Sequence, residues 1–273
     1  MNAVDALIDS LPPAPANPGG QPGRVTLAGA GPGDPDLLTV KAARAITQAQ
    51  TVLYDALVSE QVLDLLPQSA QRVFVGKRAS RHSLPQDDIC TLMVRLAQRG
   101  QPLLRLKGGD PYIFGRGGEE VQALAAAGIP YEVIPGISAA QTAAASTGMA
   151  LTHRDHAQML VLATGHLRHS SESGHPPHLD LDWPALVRPG QTVVIYMGVG
   201  ALPELCRQLI AHGLPPTHPA AIVESASLPG ERCTPGTLAT LPGLALAAGV
   251  KPPAIILVGD VVGLGRVGND PVR

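Results

Sequence analysis

From Arg24 onward, short apolar runs alternate with longer stretches whose apolar positions recur at helical spacing. The run "RVTLAGAG" at 24–31 ends in glycines, and "LLTVKAARAITQA" behind it has helical periodicity, which predicts a strand, a glycine turn and a helix. The alternation continues with strands at 51–54, 72–75, 102–106 and 131–134 and helices near 60–66, 86–99 and 117–127. After "PGISAAQTAAASTGMALTHRD" it restarts, with strands at 159–163, 192–196, 220–223 and 254–258. Strands alternating with helices predict an α/β protein with mainly parallel sheets. The restart predicts two α/β domains, 24–140 and 141–265, followed by a tail at 266–273.

Ahead of the first strand, "PPAPANPGGQPG" at 12–23 offers too little apolar surface to offset the entropy of ordering, so 1–23 is expected to be a flexible leader. The polar, histidine-rich stretch over 166–178 is expected to be a surface loop. Of the 273 residues 45% are hydrophobic but only 3% aromatic, so the cores must be built from Ala, Leu, Val and Ile, as suits helices on buried strands. A net charge of −2 gives no overall reason to bind nucleic acid or an anionic membrane. Cys90, Cys206 and Cys233 lack paired spacing, which argues against a disulfide framework or a CxxC site. The start "MNAVDALIDSLPP" has no basic segment of a secretory signal, and no apolar run is long enough to span a bilayer. A cytoplasmic location is the expectation.

The glycines at 29, 31 and 33 in "AGAGPGDPDLLT" do not form G-x-G-x-x-G, because position 34 is aspartate, and Pro32 has no N–H to offer a phosphate. No G-x-x-x-x-G-K-[ST] occurs, which excludes a P-loop enzyme. A turn at the end of a parallel strand is still the usual ligand position in such folds. In "RLKGGDPYIFGRGGEE" at 105–120 a strand runs into a turn where Gly108 and Gly109 allow close backbone approach or positive φ and Asp110 suits a cofactor with a positively charged end. Glu119 and Glu120 read as carboxylates decorating a helix start. Asp55 ends the second strand, where a capping aspartate and a general base both fit. Lys77, Arg78, Arg116, Arg154 and His166 adjoin strand ends; together they would suit a polyanionic small molecule. His153 and His156 are in no H-E-x-x-H frame, and no metal is expected.

Taken together, "GAGPGDPDLLTVKAARAI", "YDALVS", "GKR", "LRLKGGDPYIFGRGGEE", "VIPGISAA", "LTHRDHA", "TGH", "YMG" and "KPPAIILVGDVV" run in order from about residue 24 to 262. In that order they resemble the uroporphyrinogen-III C-methyltransferases of the tetrapyrrole methylase family. The resemblance implies the class III methyltransferase fold, S-adenosylmethionine in the inter-domain cleft, S-adenosylhomocysteine as product, and a homodimer. It implies two methyl transfers onto uroporphyrinogen III, giving precorrin-2 for sirohaem, cobalamin or haem d1. Cofactor positions carried over are Pro32, Gly108, Gly109, Asp110, Ile113, Ser138, Ala139, Met197 and Ala226; Asp55 and Lys77 match a proton acceptor and donor. Arg116 is a rival for proton handling and, with Arg154, His166 and Met197, is assigned to the tetrapyrrole. Ser138 stands where threonine is frequent and Ala226 where glycine is frequent. With only about 23 residues ahead of the first strand, the chain is expected to be monofunctional. The rival readings are a methyltransferase for a later precorrin, an RNA methyltransferase on a related fold, and a non-catalytic tetrapyrrole carrier.

Overall fold

In the computed structural model, residues 3–11, 20–76, 84–167 and 178–265 are described. Lys77, Arg78, most of the histidine-rich stretch and the tail therefore lie outside the described residues. The chain divides into two compact units, Met1–Ser138 and Ala139–Arg273.

The first unit runs α1 (Ala3–Ser10), β1 (Val25–Gly29), α2 (Val40–Thr47), β2 (Thr51–Tyr54), α3 (Glu60–Leu63), β3 (Gln71–Phe74), α4 (Gln86–Gln98), β4 (Leu103–Lys107), α5 (Gly117–Ala126) and β5 (Tyr131–Ile134). Its sheet has the order β3-β2-β4-β1-β5 and every pair is parallel. Alternate strand residues point to opposite faces. Val25, Leu27, Leu53, Val73 and Leu103 pack with Ile89, Leu92, Met93 and Leu96 of α4 and Leu124 of α5. Ala28, Val52, Leu104, Leu106 and Ile134 pack with Ala42 and Ile46 of α2 and Val62 and Leu63 of α3. Both faces are thus buried, which is why these strands read as nearly continuous apolar runs. Ser59 fixes the start of α3 by accepting from Val62 N–H at 3.2 Å, and its hydroxyl donates to the Gly33 carbonyl at 2.5 Å, tying the turn after β1 to that helix.

The expected flexible leader needs correction over α1. Val4 and Ile8, one helical turn apart, are each only 2% exposed and join the α4 face of the core. Asp5 pairs with Arg95 of α4 at 2.5 Å. Eight residues are too few to hold a helix by propensity, so packing on α4 sustains it, and packing is invisible to a local reading.

The second unit runs α6 (Ala139–Thr147), β6 (Met159–Thr164), α7 (Trp183–Leu186), β7 (Gln191–Tyr196), α8 (Leu202–Ala211), β8 (Pro219–Glu224), β9 (Arg232–Thr237), α9 (Leu241–Ala247) and β10 (Ala254–Val258). Its order is β6-β7-β10-β8-β9. β6 and β7 are parallel, but β10 runs antiparallel between β7 and β8, and β8 turns back antiparallel onto β9. Over both sheets five pairs are parallel and three antiparallel, so the fold is mainly parallel while its second sheet is mixed. The sequence reading lacks β9 because Pro235 and Gly236 interrupt it. Such residues are tolerated on an edge strand, which is β9's position.

If α1 is part of the folded unit, Ile8→Ala should lower stability by about 2–5 kcal/mol, read as a shift of the urea unfolding midpoint. A midpoint equal to that of the parent protein would mean α1 contributes nothing.

Candidate active site

Because the first sheet is wholly parallel, the turns after β1, β2, β4 and β5 emerge at one end of it. That end therefore collects Pro32, Asp55, Gly108, Gly109, Asp110 and Ser138. Gly31 and Gly109 exchange backbone hydrogen bonds of 3.2 and 2.7 Å, joining the turns after β1 and β4. Gly109 has φ +69°, and a Cβ there would meet nothing within 4 Å, so its backbone borders open space. A Cβ on Gly108 would lie 2.6 Å from that of Leu57, and one on Gly136 would lie 2.2 Å from the Gly109 carbonyl oxygen. The two glycines of the turn therefore serve different ends: close approach at 108, left-handed backbone at 109. Both oxygens of Asp110 accept backbone N–H groups, from Tyr112 at 2.8 Å and Gly136 at 3.0 Å, which locks the turns after β4 and β5 together.

Beneath this rim lies a buried charge network. Arg105 and Lys107 share the face of β4 that carries Leu103, under α4 and α5. Their side chains are 1% and 3% exposed. Arg105 NH2 donates to Asp55 Oδ1 at 2.7 Å, and Arg105 Nε to Glu120 Oε1 at 3.1 Å. Lys107 Nζ donates to the same Glu120 oxygen at 2.9 Å and lies 3.7 Å from Asp55 Oδ2. Gln86 of α4 donates to Glu120 Oε1 at 3.2 Å. Glu120 Oε2 is buried without a hydrogen-bond partner among the described residues. Burial, then the Arg105 charge, pulls the Lys107 ammonium below its ordinary value. Burial also pulls on Arg105, but the Asp55 and Glu120 carboxylates outweigh it and its guanidinium is raised on balance.

Glu120 is thus no helix decoration: it is fully buried and holds both cations. Arg105, Lys107 and Gln86 escaped the sequence reading too. The available signal was "LLRLK", two charges spaced by two in a central strand, where interior carboxylates must answer them. Glu119, one residue away, is half exposed and binds Arg116 through both nitrogens of its fork, at 2.9 and 2.7 Å. That hydrogen bond holds the Glu119 carboxyl below its usual range. Arg116, in left-handed backbone with φ 59°, is therefore engaged with its neighbour rather than presenting an open fork. Ile113 is half-buried in the loop between β4 and α5.

In the second unit, His166, Met197 and Ala226 follow β6, β7 and β8, whose carboxyl ends share one end of the sheet. Met197, Ser225 and Ser227 have φ of 54°, 48° and 66°. Positive φ at non-glycine residues costs free energy, and among the described residues of this unit it is confined to the loops carrying these positions. Ala139 opens α6, where the Tyr196 hydroxyl accepts from Ala140 N–H at 3.2 Å. Arg154 lies in an exposed turn ahead of the amino end of β6, so the second sheet does not bring it to the end that bears His166. Among the described residues no group of three His, Cys, Asp or Glu side chains is placed to hold a metal ion. Among them, too, no helix is long and apolar enough to cross a membrane.

A parallel sheet with glycine-rich, charged exit turns, and with neither dinucleotide fingerprint nor P-loop, makes this an α/β protein whose strand ends are the usual ligand position of such folds. The family profile "Tetrapyrrole (Corrin/Porphyrin) Methylases" matches residues 24–242, and the chain belongs to that family. The siroheme synthase of Nitrosomonas europaea is 54% identical over 242 residues, covering 89% of this chain and 50% of that protein. The chain spans about half the length of the curated relatives it matches. Among solved structures, the uroporphyrin-III C-methyl transferase of Thermus thermophilus complexed with S-adenyl homocysteine has a TM-score of 0.73 and 40% identity, covering 89% of this chain and 100% of that one. A cobalt precorrin-4 methyltransferase has a TM-score of 0.75 at 26% identity, covering 88% and 95%.

Truncating adjacent glutamates should separate the buried network from the surface. Glu120→Ala strands two buried cations and should cost about 3–5 kcal/mol. Glu119→Ala should cost less than about 1 kcal/mol. Equal shifts in urea midpoint would contradict this division.

Proposed function

We propose that this chain is a uroporphyrinogen-III C-methyltransferase, moving two methyl groups from S-adenosylmethionine onto the tetrapyrrole to give precorrin-2. The observation that carries this reading is the likeness, at 40% identity over 89% of this chain, to the Thermus thermophilus enzyme. The precorrin-4 methyltransferase superposes as well, but backbone shape is shared across a fold and identity is not; 26% against 40% favours the first substrate.

S-Adenosylmethionine suits the glycine rim, where the open space at Gly109 admits a ligand against backbone and the Asp110 carboxylate favours a cationic group. Gly108, Gly109, Asp110, Pro32, Ile113, Ser138, Ala139, Met197 and Ala226 are the residues assigned to hold it. When bound it supplies an electrophilic methyl on a sulfonium sulfur. The chain's own task is then alignment and one proton. Asp55 is the base for the pyrrole N–H, its carboxylate kept at the rim by Arg105. Lys77 keeps its assignment as proton donor. His166 and Met197 are assigned to the tetrapyrrole from the carboxyl end of the second sheet, Arg154 keeps that assignment from its sequence motif alone, and Arg116 joins them by exchanging Glu119 for a substrate carboxylate, one acceptor of similar chemistry for another. A homodimer in the cytoplasm, feeding sirohaem, cobalamin or haem d1 synthesis, completes the reading.

Anaerobic incubation with uroporphyrinogen III and labelled S-adenosylmethionine should add two methyl groups, counted by mass, with precorrin-2 absorption. Cofactor binding without transfer would redirect the assignment to a later precorrin. Asp55→Asn should leave cofactor binding intact and slow single-turnover transfer by about a hundredfold or more; an unchanged rate would remove Asp55 as the base.

A further inference from the structure

A carboxylate that takes a proton at a fixed point works best with one oxygen held and the other open. Among the described residues Asp55 has one oxygen hydrogen-bonded and one not. Its Oδ1 is bound by Arg105 NH2 at 2.7 Å. Among the described residues Oδ2 accepts no hydrogen bond; it faces the Lys107 ammonium as an ion pair at 3.7 Å, beyond hydrogen-bond reach. The Asp55 side chain is 27% exposed at the strand ends, while Arg105, Lys107 and Glu120 behind it are closed to solvent.

Arg105 can hold Asp55 because it is itself fixed. Its NH1 donates to the Leu106 carbonyl at 3.1 Å, and Nε and NH2 reach Glu120 Oε1 at 3.1 and 3.0 Å. Glu120 is secured in turn by Lys107 at 2.9 Å and Gln86 at 3.2 Å. A guanidinium anchored on two sides has one direction left for NH2, toward Asp55. A lysine would supply the charge without the planar fork that makes this possible.

The geometry points to Arg105 as a positioning residue for methyl transfer, anchored by Glu120: it pins Oδ1 of Asp55 so that Oδ2 receives the pyrrole proton. This rests on the methyltransferase reading above, with Asp55 as base. The pyrrole N–H bond breaks to Oδ2, its electron pair stays on the tetrapyrrole, a ring carbon donates a pair to the methyl, and the carbon–sulfur pair remains on sulfur. No further oxidant, reductant or co-reactant is needed.

A double-mutant cycle of Arg105→Lys and Asp55→Asn tests this, because a residue that acts through Asp55 loses its effect when Asp55 is gone. Single-turnover methyl transfer to uroporphyrinogen III should slow about 10- to 100-fold for Arg105→Lys alone. In the Asp55→Asn background the further loss should be under about twofold, with S-adenosylmethionine affinity within about threefold throughout. Urea midpoints of the same four proteins, without cofactor or tetrapyrrole, give a second readout: the shift from Arg105→Lys should be smaller in the Asp55→Asn background. Equal slowing in both backgrounds, an unchanged rate, or equal midpoint shifts would overturn the positioning role. A wild-type rate for Asp55→Asn alone would instead overturn the base assignment beneath it, and absence of transfer by the parent protein would overturn the methyltransferase reading itself. Should Arg105→Lys fail to fold, the isosteric Glu120→Gln, which loosens the anchor, enters the same cycle with the same deciding outcomes.

Discussion

Two cations on one buried face of a central strand constrain everything around them. A charge in the interior is costly unless paired and hydrogen-bonded, and Arg105 and Lys107 are both in β4, with neighbours on either side and a helix layer above. Their carboxylates come from two directions: Asp55 from the end of β2, Glu120 from the start of α5. Two basic side chains thus meet two carboxyl side chains. The arrangement couples the helix that covers the sheet to the sheet's own carboxyl end, where the partly exposed carboxylate of Asp55 lies within the same set of contacts.

Above this charged layer the turns bring backbone against backbone. Gly31 and Gly109 are hydrogen-bonded to each other, Gly136 lies against Gly109, and Asp110 binds the amide of Gly136. Three turns that are distant in sequence are thereby fixed as one surface, with the exposed side chains of Leu57, Tyr112 and Phe114 in the turns after β2 and β4. The left-handed residues of the second unit reverse the chain immediately after β7 and β8.

Much of the first unit was legible in the sequence, because its strands are apolar runs closed by glycine or proline and its helices are amphipathic. The second sheet was legible as strands but not as directions: nothing in "AIILV" tells whether β10 runs with or against β7, since direction follows from tertiary connection. β9 was hidden by Pro235 and Gly236, and α1 by its shortness. At the site, turn residues such as Gly109, Asp55 and Asp110 stood out because their residue types are unusual for strands. Glu120 did not, because Glu119 and Glu120 are identical to a local reading and differ only in which side of α5 they occupy. One binds a surface arginine and the other the core.

The two sheets also impose different demands on the order in which the chain must assemble. β8 and β9 pair across a short loop, with Glu224 opposite Arg232, so the second sheet contains contacts that close little chain. The first has none of that kind: Val25 must find Leu103 and Tyr131, and β2 must find β4 after β3 and α4 have intervened. Non-local pairing of this sort is slow to nucleate. The charge network draws on β2, β4 and α5 together, so Arg105 and Lys107 gain both their carboxylate partners only once these three non-local elements have met.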